Sequence, residues 1–163
     1  VTALMLPVPV ALYQLSARHG WGLSWVVMAF GVLGWLTISV TQALLIITRI
    51  SFEVTEPFAM VGLALVGGWM IVANHLARAE SALERWLTWL GELIGASFLL
   101  AVVAIVLSSL SDAPIGVVFV LALPGALAFV FGFPLWLIGL GRLLAAPMTP
   151  RGSNQRTATL EAS

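Results

Sequence analysis

The chain contains no cysteine and no lysine, and it has little charge of either sign. Without cysteine there is no disulfide framework, no thiolate metal site, no Cys nucleophile and no attachment point for a c-type haem. Without lysine there is neither a retinal Schiff base nor a phosphate-binding P-loop. Charged residues make up 9% of the 163, against about 25% in soluble domains. Seven arginines balance seven carboxylates, so the net charge is zero and no basic excess is present to hold nucleic acid. What abounds is apolar side chains, with 61% hydrophobic residues and a mean hydropathy of +1.08. So few charges cannot cover the surface of a soluble domain of this length. The composition points to an integral membrane protein.

A helix needs about 20 apolar residues to cross about 30 Å of hydrocarbon. Four segments meet that length: residues 21–48, 57–76, 86–110 and 114–144. A fifth, 1–15, is apolar but reaches only about 23 Å at 1.5 Å per residue, and Pro7 and Pro9 interrupt it. It reads as the tail of a span whose start lies upstream, or as an interfacial segment. The first fits a GC-rich coding sequence, suggested by abundant Ala, Gly, Val and Arg without lysine, in which Val1 is a GTG start taken literally. The last segment is longer than one crossing requires and too short for two. Pro124 and Pro134 inside it predict one kinked, tilted helix. Pro57 after Glu56, and Pro114 after Ser111 and Asp112, mark helix starts, because proline suits the first helical position and a nearby carboxylate suits the positive end of the helix dipole. The expected fold is an all-α integral membrane protein. Residues 1–144 form a helix bundle of four complete transmembrane helices plus a short or truncated N-terminal apolar helix. Residues 145–163 are a polar cytoplasmic tail, disordered or dependent on a partner.

Arginine placement sets the orientation. Arg18, Arg78, Arg85, Arg142, Arg151 and Arg156 share one side if four helices cross between them, and the other side holds Arg49 beside Glu53, Glu56 and Asp112. Six against one predicts a cytoplasmic C-terminus by the positive-inside rule. Trp21, Trp25, Trp86 and Trp89 fall at the same helix ends, where indole rings favour the headgroup region.

Glu92 carries the most information about chemistry. It lies six positions into the helix that begins at Trp86, roughly 9 Å below the boundary, so it is neutral, paired or beside a wet cavity. His75, Asn74 and Arg142 stand at similar depth, and with Glu92 they form a candidate buried polar cluster. The carboxylate is then a proton-linked group or a substrate counter-ion, or else a structural side chain that pairs with Arg142 or His75 or snorkels to the interface. His75 and His19 are the imidazoles available to a tetrapyrrole. No cofactor or metal is expected. The alternative is a haem or chlorophyll-type pigment on His75, against which the tryptophans would pack. Gly91 and Gly95 form a GxxxG pair, and Gly67, Gly68, Gly31 and Gly34 add further small faces for close helix packing. Asn74, Gln42 and Thr41 are polar enough to bridge helices. The chain has no HExxH or GxSxG motif, no paired carboxylates at helical spacing within the spans, no gating arginines and no inverted repeat with matched broken helices.

Three stretches carry a resemblance: Gly68-Trp69 leading to Asn74-His75-Leu76-Ala77-Arg78; Leu83-Glu84-Arg85-Trp86-Leu87-Thr88-Trp89-Leu90-Gly91; and Phe133-Pro134-Leu135-Trp136-Leu137-Ile138-Gly139-Leu140-Gly141-Arg142-Leu143. Over residues 57–144 the chain resembles a group of bacterial multi-span integral membrane proteins of unknown function. In that group a glycine-tryptophan helix leads to a short basic loop, the next helix opens on Trp-Leu-Gly, and the last ends in Pro-x-Trp and Gly-x-Arg-Leu. The resemblance implies topology, usually about six helices, and no catalytic residue.

The reading that fits is a non-enzymatic accessory or scaffolding subunit of the bacterial inner membrane, in contact with the lipid bilayer and with other membrane subunits or copies of itself. The alternatives are a small ion-coupled transporter or sensor using Glu92, and a haem- or chlorophyll-binding subunit using His75. The topology has a direct test. A reporter active only in the cytoplasm is expected to work when fused after Ser163 and to fail when fused after Thr48. The reverse pattern would overturn the arginine argument.

Overall fold

The computed structural model describes residues 5–16, 21–48, 50–79, 83–110 and 114–145. Helix α1 runs Pro7–Ser16, α2 Trp21–Ile47, α3 Phe52–Ala79, α4 Arg85–Leu110 and α5 Ile115–Leu127. A π-helical turn, Ala128–Gly132, joins α5 to α6, Phe133–Ala145. Among the described residues 94% are helical and none is in a strand. Four helical stretches, Ser24–Ile47, Glu53–Ala79, Arg85–Leu110 and the continuous Ile115–Ala145, are long and apolar enough to cross a membrane. The expected tail lies outside the described residues, as do Arg18, His19, Arg49 and Asp112.

These helices keep their polar groups to themselves. The hydroxyls of Thr37, Thr41, Thr48 and Ser97 each donate to the carbonyl four residues back, at 2.6–2.8 Å. Such a bond removes the need for water at a side chain set among apolar neighbours. The outer surface is correspondingly apolar. Ile46, Leu110, Ile115, Phe119 and Leu93 are all exposed, which is the kind of outside that hydrocarbon solvates.

Two boundaries differ from the sequence reading. Helix α3 begins at Phe52, so Pro57 sits inside its second turn and is not the first helical residue. Proline there removes one hydrogen bond. The added turn brings Glu53 to the positive end of the dipole, and Thr55 Oγ1 donates to Ser51 O at 3.4 Å. At its other end α3 continues to Ala79, taking Arg78 out of the expected loop and into the last turn. The last helix carries its irregularity as a π-turn between its two prolines. Pro134 has no N–H for the Val130 carbonyl and its ring crowds that oxygen. The turn widens instead, and Phe133 N–H bonds to Ala128 O, one residue further back than in an α-helix.

The core lies between α2, α3, α4 and α6, and its centre is aromatic. Trp35 of α2 packs on Phe133 of α6 with centroids 5.3 Å apart. Phe133 stacks on Trp136 at 6.0 Å, and Trp136 meets Trp69 of α3 edge-on at 6.4 Å and 87°. Phe133, the most accessible of these four, is 4% exposed. Pro9 and Leu12 of α1 are buried, and α1 lies against Ser24 and Val27 of α2 and Ala73 of α3. Trp25, Trp86 and Trp89, by contrast, are more than half exposed and gather at the end that carries Arg78, Arg85 and Arg142.

The glycine faces are used within the chain. A Cβ on Gly95 would stand 2.6 Å from the Gly67 carbonyl oxygen, and a Cβ on Gly67 would stand 2.9 Å from that of Gly95. The backbones of α3 and α4 therefore cross here in contact, as GxxxG geometry allows. Gly68, grouped with Gly67 by the sequence reading, has open space beside it. The two sites separate a packing role from mere composition. Gly95→Ala is expected to destabilise the fold by about 1–3 kcal/mol through overpacking. Gly68→Ala is expected to be neutral or to stabilise by up to about 1 kcal/mol, because alanine suits a helix better than glycine. Unfolding in detergent followed by helical circular dichroism measures both, and equal effects would contradict the close crossing.

Candidate functional site

Polar side chains of two helices come together where α3 ends and α4 begins: Asn74, His75 and Arg78 of α3 with Thr88 and Glu92 of α4. They form two layers. The inner layer is Asn74, fully buried. Its Nδ2 donates to Met70 O at 2.8 Å, and its Oδ1 accepts from Trp136 Nε1 at 3.2 Å. Gly91 of α4 faces this amide, and a side chain there would run into it. Thr88, also fully buried, donates to Arg85 O at 2.8 Å. The Asn74 amide thus links α3 to α6 through the Trp136 indole while α4 closes over it.

The outer layer is charged. Glu92 of α4 reaches two residues of α3. Its Oε2 lies 3.6 Å from Arg78 Nη1, and its Oε1 lies 3.7 Å from His75 Nδ1. Arg78 Nη2 approaches His75 Nδ1 at 3.4 Å. Glu92 Oε1 is buried without a hydrogen-bond partner, as are Trp35 Nε1 and Ser39 Oγ among the described residues. Arg78 also lies over the Trp89 ring, 5.3 Å from its centroid, a cation–π contact that anchors it beside Glu92. The Glu92 side chain is 17% exposed, that of Arg78 37% and that of His75 63%. The cluster therefore opens to the side of the bundle and not into its centre.

The four residues expected as one buried cluster are divided. Glu92 and His75 are brought together, with Arg78 as a third member. Asn74 lies inside, bonded to Trp136. Arg142 is exposed on α6 and lines a separate groove between α4 and α6. Helix α4 stands between the two sites, because Glu92 projects toward α3 while Trp86 and Leu90 project toward α6. Arg78 could have been found from the sequence by continuing the α3 helix through it, since His75 and Arg78 are three apart and so share a face. The Asn74–Trp136 bond joins residues 62 apart and has no local signature. His75, the candidate tetrapyrrole ligand, is mostly exposed and its Nδ1 is engaged by Arg78. Among the described residues no three His, Cys, Asp or Glu side chains group as a metal site.

Compared with protein-family models, with curated proteins and with solved structures, the chain matches none.

The inner layer yields a quantitative expectation. Asn74→Ala leaves the Trp136 N–H buried without an acceptor, which costs about 1–3 kcal/mol. A double-mutant cycle with Trp136→Phe should return a coupling of about 0.6 kcal/mol, and up to about 1.7. Zero coupling in a folded pair of variants would mean that the bond does not join α3 to α6.

Proposed function

We propose that the chain is a non-enzymatic, multi-pass protein of the bacterial inner membrane, with a cytoplasmic C-terminus. It acts as an accessory or scaffolding subunit that seats a neighbouring membrane helix on the α3–α4 seam. The observation that carries this reading is the buried Glu92 Oε1 without a donor, on a flank of the bundle. A buried acceptor atom without a hydrogen bond costs about 1–3 kcal/mol. The contacts of Glu92 with His75 and Arg78 at 3.6–3.7 Å leave Oε1 without one, and a donor from a neighbouring helix would recover part of that cost. The surrounding face suits such a neighbour. His75, Val72 and Ala79 of α3 and Trp89, Leu93 and Ala96 of α4 are exposed, and two of these are alanines, which permit close helix approach. Meanwhile Gly67 of α3 and Gly91 and Gly95 of α4 are already engaged inside the bundle.

A second reading draws on the same cluster. A carboxylate set between His75 and Arg78 has the makings of an ion-coupled transport or sensing site. The packed aromatic centre of Trp35, Phe133 and Trp136 favours the lateral-docking reading over a pathway through one chain.

A photo-crosslinking residue at position 93, activated in native membranes, is expected to give one discrete protein adduct. Glu92→Gln should reduce its yield by about threefold or more, the fold-change corresponding to the 0.6 kcal/mol or so of a polar pair between membrane helices. Lipid adducts alone at position 93 would overturn the docking reading. Loss of proton-linked flux in Glu92→Gln with the adduct unchanged would favour the second.

A further inference from the structure

We propose that the groove between α4 and α6 is a binding site for a phospholipid carrying an amine on its headgroup phosphate. The lipid would come from the leaflet at the arginine-rich end. The groove has a volume of about 600 Å³ and runs between the first turns of α4 and most of the length of α6, within the roughly 300–1,000 Å³ of small-molecule sites. Its walls and its mouth differ in character. Leu90 of α4 and Leu135 and Ile138 of α6 make the walls apolar, and Glu84 and Arg142 add one negative and one positive charge. Positions 135, 138 and 142 are three and four apart, so they lie along one face of α6 and extend over about 10 Å. Arg142 at one end of that face is followed by hydrocarbon-lined surface for the rest. That is the order of groups in a phospholipid, headgroup first and acyl chain behind.

The two charges choose the headgroup. Glu84 and Arg142 line the same groove, yet the ion pairs among the described residues are those of Glu92 with His75 and Arg78. Glu84 accepts a hydrogen bond from Trp86 Nε1, which holds the carboxylate at the groove, and a carboxylate keeps further lone pairs for a second donor. Arg142 makes no hydrogen bond or ion pair among the described residues. A guanidinium presents a donor fork that matches phosphate oxygens, and an ammonium group donates to a carboxylate. A phosphate and an ammonium on one headgroup therefore satisfy Arg142 and Glu84 together. A headgroup bearing phosphate without an amine satisfies Arg142 and brings like charge toward Glu84. Gly139 is part of the fit, since a Cβ there would stand 2.7 Å from Leu87 Cδ1 and 2.8 Å from the Trp86 ring, so α6 lies directly on α4 and forms the floor. The site lies across α4 from Glu92, so the outcome at one does not decide the other.

The test uses the full chain in detergent, with phosphatidylethanolamine and phosphatidylglycerol of identical acyl chains as probes and retained lipid read by native mass spectrometry. The wild type is expected to retain phosphatidylethanolamine at least tenfold better than phosphatidylglycerol. Arg142→Ala should lower retention of both lipids by about tenfold. Glu84→Gln should lower phosphatidylethanolamine alone and bring the two lipids to parity. Both residues are exposed, and helical circular dichroism confirms that the variants fold. Ile138→Trp, which fills the groove without touching either charge, should abolish retention. Equal or better retention of phosphatidylglycerol by the wild type would overturn the proposal. So would retention unchanged in the Arg142 and Glu84 variants, or adducts that persist in Ile138→Trp.

Discussion

The contact between the Gly67 and Gly95 backbones is the constraint from which the arginine-rich end is built. Two helices that touch at their main chains have a fixed separation and register, and every pair of residues further along is then determined. Two turns on from Gly67 along α3 come Asn74 and His75, and one turn back from Gly95 along α4 come Gly91 and Glu92. Asn74 consequently meets Gly91, where no side chain blocks its amide, and His75 meets Glu92. A larger residue at either glycine would move α4 outward and separate both pairs together. The third helix of the core is held at the same level, because the Trp136 indole donates to Asn74 while its ring stacks on Phe133 and meets Trp69 edge-on.

With its first turns α4 serves two surfaces of different chemistry. On one side it offers Glu92 to His75 and Arg78 of α3 at the flank of the bundle. On the other it supplies Glu84, Trp86 and Leu90 to the groove against α6. The buried threonine at position 88 and the glycine at 91 lie between them and hold the helix close to its neighbours. The two surfaces thus share one rigid support. Charge at both is concentrated near the helix ends, where a side chain can reach water or headgroups without a full desolvation penalty.

The tryptophans divide by the same logic. Trp35, Trp69 and Trp136 supply the volume of the core, with centroid distances typical of packed aromatic pairs. Trp25, Trp86 and Trp89 sit exposed at one end, and two of them steady a charged neighbour: Trp86 donates to Glu84, and Trp89 lies under Arg78. An abundance that also suited pigment packing is used here for filling the centre and bracing the charged end.

Much was legible without tertiary information. The scarcity of charge, the number of long apolar helices, the arginine-rich end and the place of the prolines near the irregular part of the last helix all follow from residue type and spacing. Other features were decided only when helices met. The sequence offered Arg142 and His75 to Glu92 on depth alone, and packing supplied His75 and Arg78 while turning Arg142 to the opposite side of α4. It offered Gly67 and Gly68 as equals, and one is in backbone contact while the other faces open space. It placed Arg78 in a loop because α3 was expected to end with its apolar run, yet backbone hydrogen bonding carried the helix a turn further. The common reason is physical. In a water-soluble helix the apolar stripe marks the inward face, but these helices are apolar on nearly every side. Hydropathy therefore determined which residues form helices and roughly where those helices end. Which face of each helix meets which neighbour was left to shape, through glycine gaps, indole rings and the buried amide of Asn74.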